Sequence, residues 1–264
     1  MRRPSLAAFS IAALLLFVAT GCRRGPAEEQ SATREINVAA AANLSDAFNE
    51  LAKQFTARTG IRVVYSYGAT AELAKQIENG APFDLFAAAD VEHIDRLNRQ
   101  GLLVPGTAAL YARGRLVLWT PPTSRVQLNS IEEVRRAEVE RIAIAKPDVA
   151  PYGRAALETL RALNLWNDVE SKIIYGQNVT QARQYAATGN AEVAFIPRSL
   201  VRAGEGQSIE VDERLHQPIN QSLAVIKASG KQEPARLFTQ YVLGPEGQAL
   251  LKRYGYESAA TSDK

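Results

Sequence analysis

Residues 36–58 read INVAAAANLSDAFNELAKQFTAR, and this stretch decides the fold. Ile36 to Ala41 is an apolar run with the length of a strand. From Ser45 to Arg58 the period changes. Phe48, Leu51, Ala52 and Phe55 fall at i, i+3, i+4 and i+7, one face of a helix that Gly60 ends. A strand running straight into an amphipathic helix opens a βαβ unit, so an α/β fold is expected. The pattern continues outward. Strands are expected over 61–66, 84–88 and 115–119, with a helix marked by Leu73, Ala74 and Ile77 ending at Gly80, and another over about 91–99. A second series has strands over 142–145, 173–175 and 193–196, a helix carrying Ala156, Leu157 and Leu160, and one over about 180–187. The apolar run 219–226 suits a return strand, and helices over about 235–242 and 246–254 close the chain against the first lobe.

This rhythm divides the chain into two lobes with a ligand cleft between them. Pro121-Pro122 makes a stiff extended break and marks the first crossing. Lobe 1 is expected over 36–119 plus 223–257, and lobe 2 over 120–222. The run Glu132 to Arg141, mixed in charge, reads as a solvated helix. Trp119 and Trp166 read as packing residues.

The start of the chain is a leader. Arg2 and Arg3 precede an apolar run over 11–19 that is shorter than the roughly twenty residues of a bilayer span, and small residues follow it. Residues 1–21 therefore read as a signal peptide. Ala19-Thr20-Gly21-Cys22 has the form of a lipobox, with alanine in its usual leucine position. Cys22 is the only cysteine, which excludes a disulfide within one chain. Its lipidation would anchor an exported protein to a membrane, in the periplasm or at the cell surface, with residues 22–35 as a polar tether. The sequence has 31 Lys and Arg against 28 Asp and Glu. Two of the basic residues lie in the leader, so the mature chain is close to neutral. Nucleic acid is not expected as a partner, because its binding rests on basic patches that neutralise several phosphates.

Catalytic or metal-binding constellations are not legible. His93 lies beside Glu92 and Asp95 and reads as solvated surface, as does His216 before Pro218. There is no cluster of His and Cys, no nucleophile elbow and no phosphate-binding lysine loop, so neither an enzyme nor a cofactor is expected. What recurs is a strand followed at once by small or polar residues and a helix start, which leaves unpaired N–H groups at the positive end of a helix dipole. The four junctions are Ala40 to Asp46, where Asn43 or Ser45 can cap the helix, Tyr67 to Ala71, Pro151 to Arg154, and Gln177 to Thr180. Two fall in each lobe, so together they could hold an anion without a charged side chain. The Asn-x-Ser/Thr triplets at Asn43, Asn178 and Asn220 read as chance matches.

Beside this reading stands a resemblance. VAAAANL at 38–44, LAKQIENGAPFDLFAAAD at 73–90, GPEG at 244–247 and KRYG at 252–255 are similar to segments of the molybdate-binding proteins of ABC uptake systems, which have the type II periplasmic-binding-protein fold. The likeness spans nearly all of 36–256. It implies capture of molybdate, and of tungstate, by a monomer that hands the ion unchanged to a membrane permease. It also implies ligand contacts at Asn43, Thr70, Tyr152 and Val179, with no protein ligand bonded directly to the metal. Tyr152 and Val179 would act through backbone N–H. Some relatives place a ligand-reaching tyrosine where this chain has Pro197, and either Ser199 substitutes or one bond is missing. Another tetrahedral oxyanion, such as sulfate or phosphate, an exported hydrolase on the same fold and a sensing lipoprotein stay open as alternatives.

Overall fold

The computed structural model describes residues 35–259. The signal peptide, Cys22 and nearly all of the tether lie outside the described residues. The strands and helices, numbered in chain order, are β1 Glu35–Ala41, α1 Ser45–Thr59, β2 Arg62–Gly68, α2 Thr70–Glu78, β3 Leu85–Ala87, α3 Glu92–Arg99, β4 Ala109–Gly114, β5 Leu116–Thr120 and β6 Ile142–Ala145. They continue with α4 Pro151–Ala162, α5 Trp166–Val169, β7 Ile173–Gly176, α6 Val179–Ala187, β8 Val193–Pro197, β9 Gln207–Glu210, β10 Ile219–Val225, α7 Gln232–Leu243 and α8 Pro245–Arg253.

These strands form two mixed five-stranded sheets, in the orders β2-β1-β3-β10-β4 and β7-β6-β8-β5-β9. In the first, β1 runs parallel to β2 and β3, and β10 runs antiparallel to β3 and β4. In the second, β6 is parallel to β7 and β8, and β5 is antiparallel to β8 and β9. The α/β fold with two sheets is the expected one.

The crossings differ from the expected ones. β5 pairs with β8 from Leu116 opposite Pro197 to Trp119 opposite Ala194, so it belongs to lobe 2, and the chain crosses at Arg115 between β4 and β5. Pro121-Pro122 follows β5 inside lobe 2 and ends that strand instead of joining lobes. The return also comes earlier than 223, because all of β10 from Ile219 onward pairs within the first sheet. The two crossings lie side by side, with the Arg115 guanidinium paired to Glu213 on the second crossing and, at 3.1 Å, to Glu257.

Local chemistry accounts for the elements. The helical face predicted for α1 is buried, and Phe48 and Phe55 meet Phe238 of α7 edge to face, with centroids 6.2 and 5.1 Å apart. That contact fastens the closing helices to lobe 1, and each such ring contributes about 1.5–3 kcal/mol through burial. Gly60 caps α1 in the left-handed region at φ 71°. Trp119 is packed in the lobe 2 core, with its indole N–H donating to the Glu205 carbonyl at 2.6 Å.

Two strands, β4 and β9, escape the sequence reading. β9, QSIE, is a polar edge strand without an alternating pattern, and β4 ends in Arg113-Gly114. The expected helix over 132–141 is only a short 3-10 turn, Ile131–Arg135. At its end, the Lys172 ammonium donates to the Arg135 and Arg136 carbonyls, at 3.1 and 2.8 Å.

Candidate anion site between the lobes

The carboxyl ends of β1, β2 and β7 run into helix within two residues and that of β6 does so after a turn over 146–150, all at the end of a parallel sheet at which α/β folds bind ligands. Asn43, Thr70, Tyr152 and Val179 come from these four turns, two from each lobe, and all four line one cavity. The space is small, a void roughly 2.7 Å in radius. One compact ion suits it, whereas a sugar or an amino acid does not. The remaining lining is mostly alanine, with Gly68, Pro151 and Asn178, and contains no charged side chain.

In lobe 1, Thr70 is the first residue of α2, and the helix has no side-chain cap. Its hydroxyl oxygen accepts from the Ala89 N–H at 3.2 Å, which leaves the hydroxyl proton free to point into the cavity. Asn43 lies in a 3-10 turn between β1 and α1. Its expected cap is not made, nor does Ser45 make one. The Asn43 amide instead donates to Gln221 Oε1 at 2.9 Å and to the Tyr256 hydroxyl at 3.0 Å. Both amide hydrogens are thereby used, so the donor left at this turn is the backbone N–H of Asn43. Its carbonyl accepts from Tyr256 at 2.7 Å and from Ser199 at 2.9 Å.

In lobe 2 the donors are backbone groups. Pro151 opens α4 and has no N–H, which makes Tyr152 the first donor of that helix. Gly153 lets the helix start press against β6: a Cβ there would lie 2.1 Å from the Ala145 carbonyl oxygen. At α6, Asn178 caps the N–H groups of Thr180 and Gln181, at 3.0 and 3.1 Å, and passes over Val179. Among the described residues, the N–H groups of Asn43, Thr70, Tyr152 and Val179 have no protein acceptor. Four unpaired donors at helix starts make an anion-binding environment without a cation.

Several contacts join the lobes around the cavity. Ala71 N–H donates to the Val149 carbonyl at 3.1 Å, Ser199 reaches Asn43, and Arg202 pairs with Asp46 at 3.0 Å. Ser199 is committed to that bond and does not line the cavity, so it does not substitute for a donor at Pro197, which closes β8 opposite Leu116. Burial holds the phenols of Tyr111, Tyr152 and Tyr256 well above their ordinary pKa, with neighbouring phenols adding to it for Tyr111 and Tyr152. They remain neutral donors and acceptors at any ordinary pH.

His93 is not the solvated residue expected. It is 6 % exposed, and its Nδ1 meets the Asp90 carboxylate at 2.8 Å, fixing the turn between Ala89 and α3. His216 is half-buried, with Nδ1 2.8 Å from the Gln217 carbonyl. Among the described residues, no group of three His, Cys, Asp or Glu is placed to hold a metal ion. Three larger open clefts, about 640 Å³ beside Lys53, Thr56 and Tyr65, about 580 Å³ beside Asp46, Arg202 and Tyr254, and about 550 Å³ beside Phe83, Leu102 and Lys231, are not lined by Asn43, Thr70, Tyr152 or Val179. Gln221, Tyr111 and Tyr256, which support the turns from below, were missed in the sequence. The signal for Gln221 was there: a polar pair, Gln221-Ser222, inside an otherwise apolar return strand.

Two α/β lobes joined by paired crossings, with a small donor-lined cavity between them, define a solute-binding protein. The chain belongs to the family of bacterial extracellular solute-binding proteins, whose pattern it matches over residues 36–257. It is 36% identical over 255 residues to the molybdate-binding protein ModA of Azotobacter vinelandii, covering 94% of this chain and 98% of that one. To ModA of Rhodobacter capsulatus it is 35% identical over 227 residues, 86% of this chain and 89% of the other. Among solved structures, the periplasmic molybdate-binding protein of Azotobacter vinelandii superposes with a TM-score of 0.80 at 30% identity, covering 85% of this chain and all of that chain.

Proposed function

We propose that this protein captures molybdate, and tungstate with it, outside the cytoplasm and delivers the ion unchanged to an ABC permease. The observation that carries this reading is the convergence of four helix-start N–H groups and the Thr70 hydroxyl on one ion-sized, charge-free cavity. A fully deprotonated dianion can accept from every one of these donors, and the lining offers no carboxylate to receive a proton from a protonated ligand. Kinship with molybdate-binding proteins supports the choice of ion. Asn43, Tyr152 and Val179 bind through backbone N–H, and Thr70 binds through backbone and hydroxyl. The chain acts as a binding protein without catalysis, as a monomer, with no cofactor. Its partner is a permease that recognises the closed form.

Calorimetric titration of the exported chain with molybdate tests the reading. Saturation at one ion per chain is expected, and an absence of binding to any tetrahedral oxyanion removes it. The lipid anchor is a separate part of the proposal and rests on Ala19-Thr20-Gly21-Cys22. Cys22→Ser is expected to release the exported protein from membranes while leaving ligand binding unchanged. Equal membrane association of variant and parent in fractionation would remove the anchor.

A further inference from the structure

Gln221 occupies a position that neither core packing nor the cavity lining accounts for. It is fully buried in β10, at the point where the pairing of β10 with β4 shifts between Gln221 and Ser222. Irregularities of this kind re-aim a side chain. Here the amide is aimed at the seam between the lobes. Its Oε1 accepts from the Asn43 amide at 2.9 Å and from the Tyr111 hydroxyl at 3.0 Å, and its Nε2 donates to the Tyr152 hydroxyl at 2.9 Å. Tyr111 also lies 2.9 Å from the Ala88 carbonyl, next to Ala89, whose N–H holds Thr70.

One amide thus bonds two of the four donor segments directly, across the lobes from Asn43 to Tyr152, and meets that of Thr70 through Tyr111 and the backbone at 88–89. The Tyr152 hydroxyl rests against Gly114, the last residue before the first crossing. A Cβ at Gly114 would lie 1.9 Å from that oxygen, so only glycine leaves room for the phenol at the hinge.

We propose that Gln221 is a positioning residue that sets the angle at which the two halves of the cradle meet. It ties the Asn43 turn to the start of α4 through the Tyr152 hydroxyl; this rests on the oxyanion reading above. Rotation about the crossings shifts the Tyr152 N–H relative to Asn43 and Thr70. The Gln221–Tyr152 bond selects the angle at which all four donors address one ion, and a buried polar group left unpaired at other angles disfavours them. Gln221 touches no ligand atom and acts through Asn43 and Tyr152.

Tyr152→Phe isolates the link, since it keeps the ring and the backbone N–H and deletes only the hydroxyl. Molybdate affinity is expected to fall by roughly fivefold to thirtyfold, with the loss in the dissociation rate. The melting temperature of the ligand-free protein should fall as well, by roughly 2–10 °C, because the buried Gln221 Nε2 loses its acceptor. In a Gln221→Leu background, the same Tyr152→Phe change should cost nothing further, as for two groups that act as one unit. Affinity equal to the parent in Tyr152→Phe overturns the proposal, as does a loss that persists undiminished beside Gln221→Leu. If Gln221→Leu does not fold, Tyr152→Phe alone decides. A parent that binds no oxyanion removes the ligand reading and this inference with it, whereas a parent that binds and a Tyr152→Phe variant that binds equally well remove the inference alone.

Discussion

The two halves of the cradle solve one problem by different means. Lobe 1 offers Asn43 and Thr70, buried polar residues whose side chains are themselves held, Asn43 by Gln221 and Tyr256 and Thr70 by Ala89. Lobe 2 offers Tyr152 and Val179, which face the cavity with main-chain donors, while the Tyr152 phenol turns away toward Gln221. In lobe 1 the chemistry of a side chain enters the cavity. In lobe 2 what counts is where a helix begins, and that is fixed by Pro151, Gly153 and the Asn178 cap. Side-chain changes should therefore be felt in lobe 1 by loss of a donor, and in lobe 2 only when they move the backbone.

The largest effect is expected from a methyl group in lobe 2. Gly153→Ala places a Cβ against the Ala145 carbonyl oxygen, 2.1 Å away before relaxation, and the start of α4 must retreat. Overpacking of this kind lowers stability by about 1–3 kcal/mol, and the displaced Tyr152 donor loses a hydrogen bond to a charged ligand, so molybdate affinity should fall by up to roughly a hundredfold. Unchanged affinity in a titration would mean that α4 supplies no donor. Thr70→Ala comes next: loss of a hydrogen bond to a charged ligand costs about 1.5–3 kcal/mol, roughly tenfold to a hundredfold in affinity. A variant as tight as the parent would locate the ion away from α2. Val179→Ala should be smallest, below about threefold, because the backbone donor and its cap remain. A large loss there would show that the side chain matters and would erase the contrast between the lobes.

The support beneath the cradle predicts a pH limit. Burial raises the Tyr111, Tyr152 and Tyr256 phenols in the folded state, while in the unfolded chain they ionise near about 10. Unfolding above that pH releases protons, so stability is fully present below about 10 and falls as pH rises beyond it. Denaturant midpoints measured between neutral pH and 11 should be flat at first and then decline. A midpoint that rises above pH 10 would contradict neutral, buried phenols.

Much of this was legible in the sequence. Helical spacing and apolar runs located most of the strands and the main helices, and strand-to-helix junctions pointed to the four segments that line the cavity. What escaped was set by tertiary pairing. β4 becomes a strand because β10 lies beside it, and β9 is a polar edge with no alternating face. The crossing at Arg115 is invisible because a single residue separates two strands that belong to different sheets. Pro121-Pro122, the strongest local break, merely ends β5. At the site, the resemblance could place Asn43 at the ligand, but not show that Gln221 and Tyr256, 178 and 213 residues away along the chain, use both hydrogens of its amide.

The proposed function stands on a cavity lined by neutral donors and no carboxylate, which favours a fully deprotonated tetrahedral dianion. Competition titration near neutral pH tests it most directly, with molybdate bound and tungstate, sulfate and phosphate added in turn. Tungstate should displace molybdate at similar concentration. Sulfate should compete weakly because a smaller tetrahedron stretches several hydrogen bonds at once. Phosphate should compete poorly because the lining offers its proton no carboxylate, a penalty of about 1–3 kcal/mol where that proton goes unpaired. Sulfate or phosphate competing as well as tungstate would overturn the molybdate reading, even with the two-lobed fold intact.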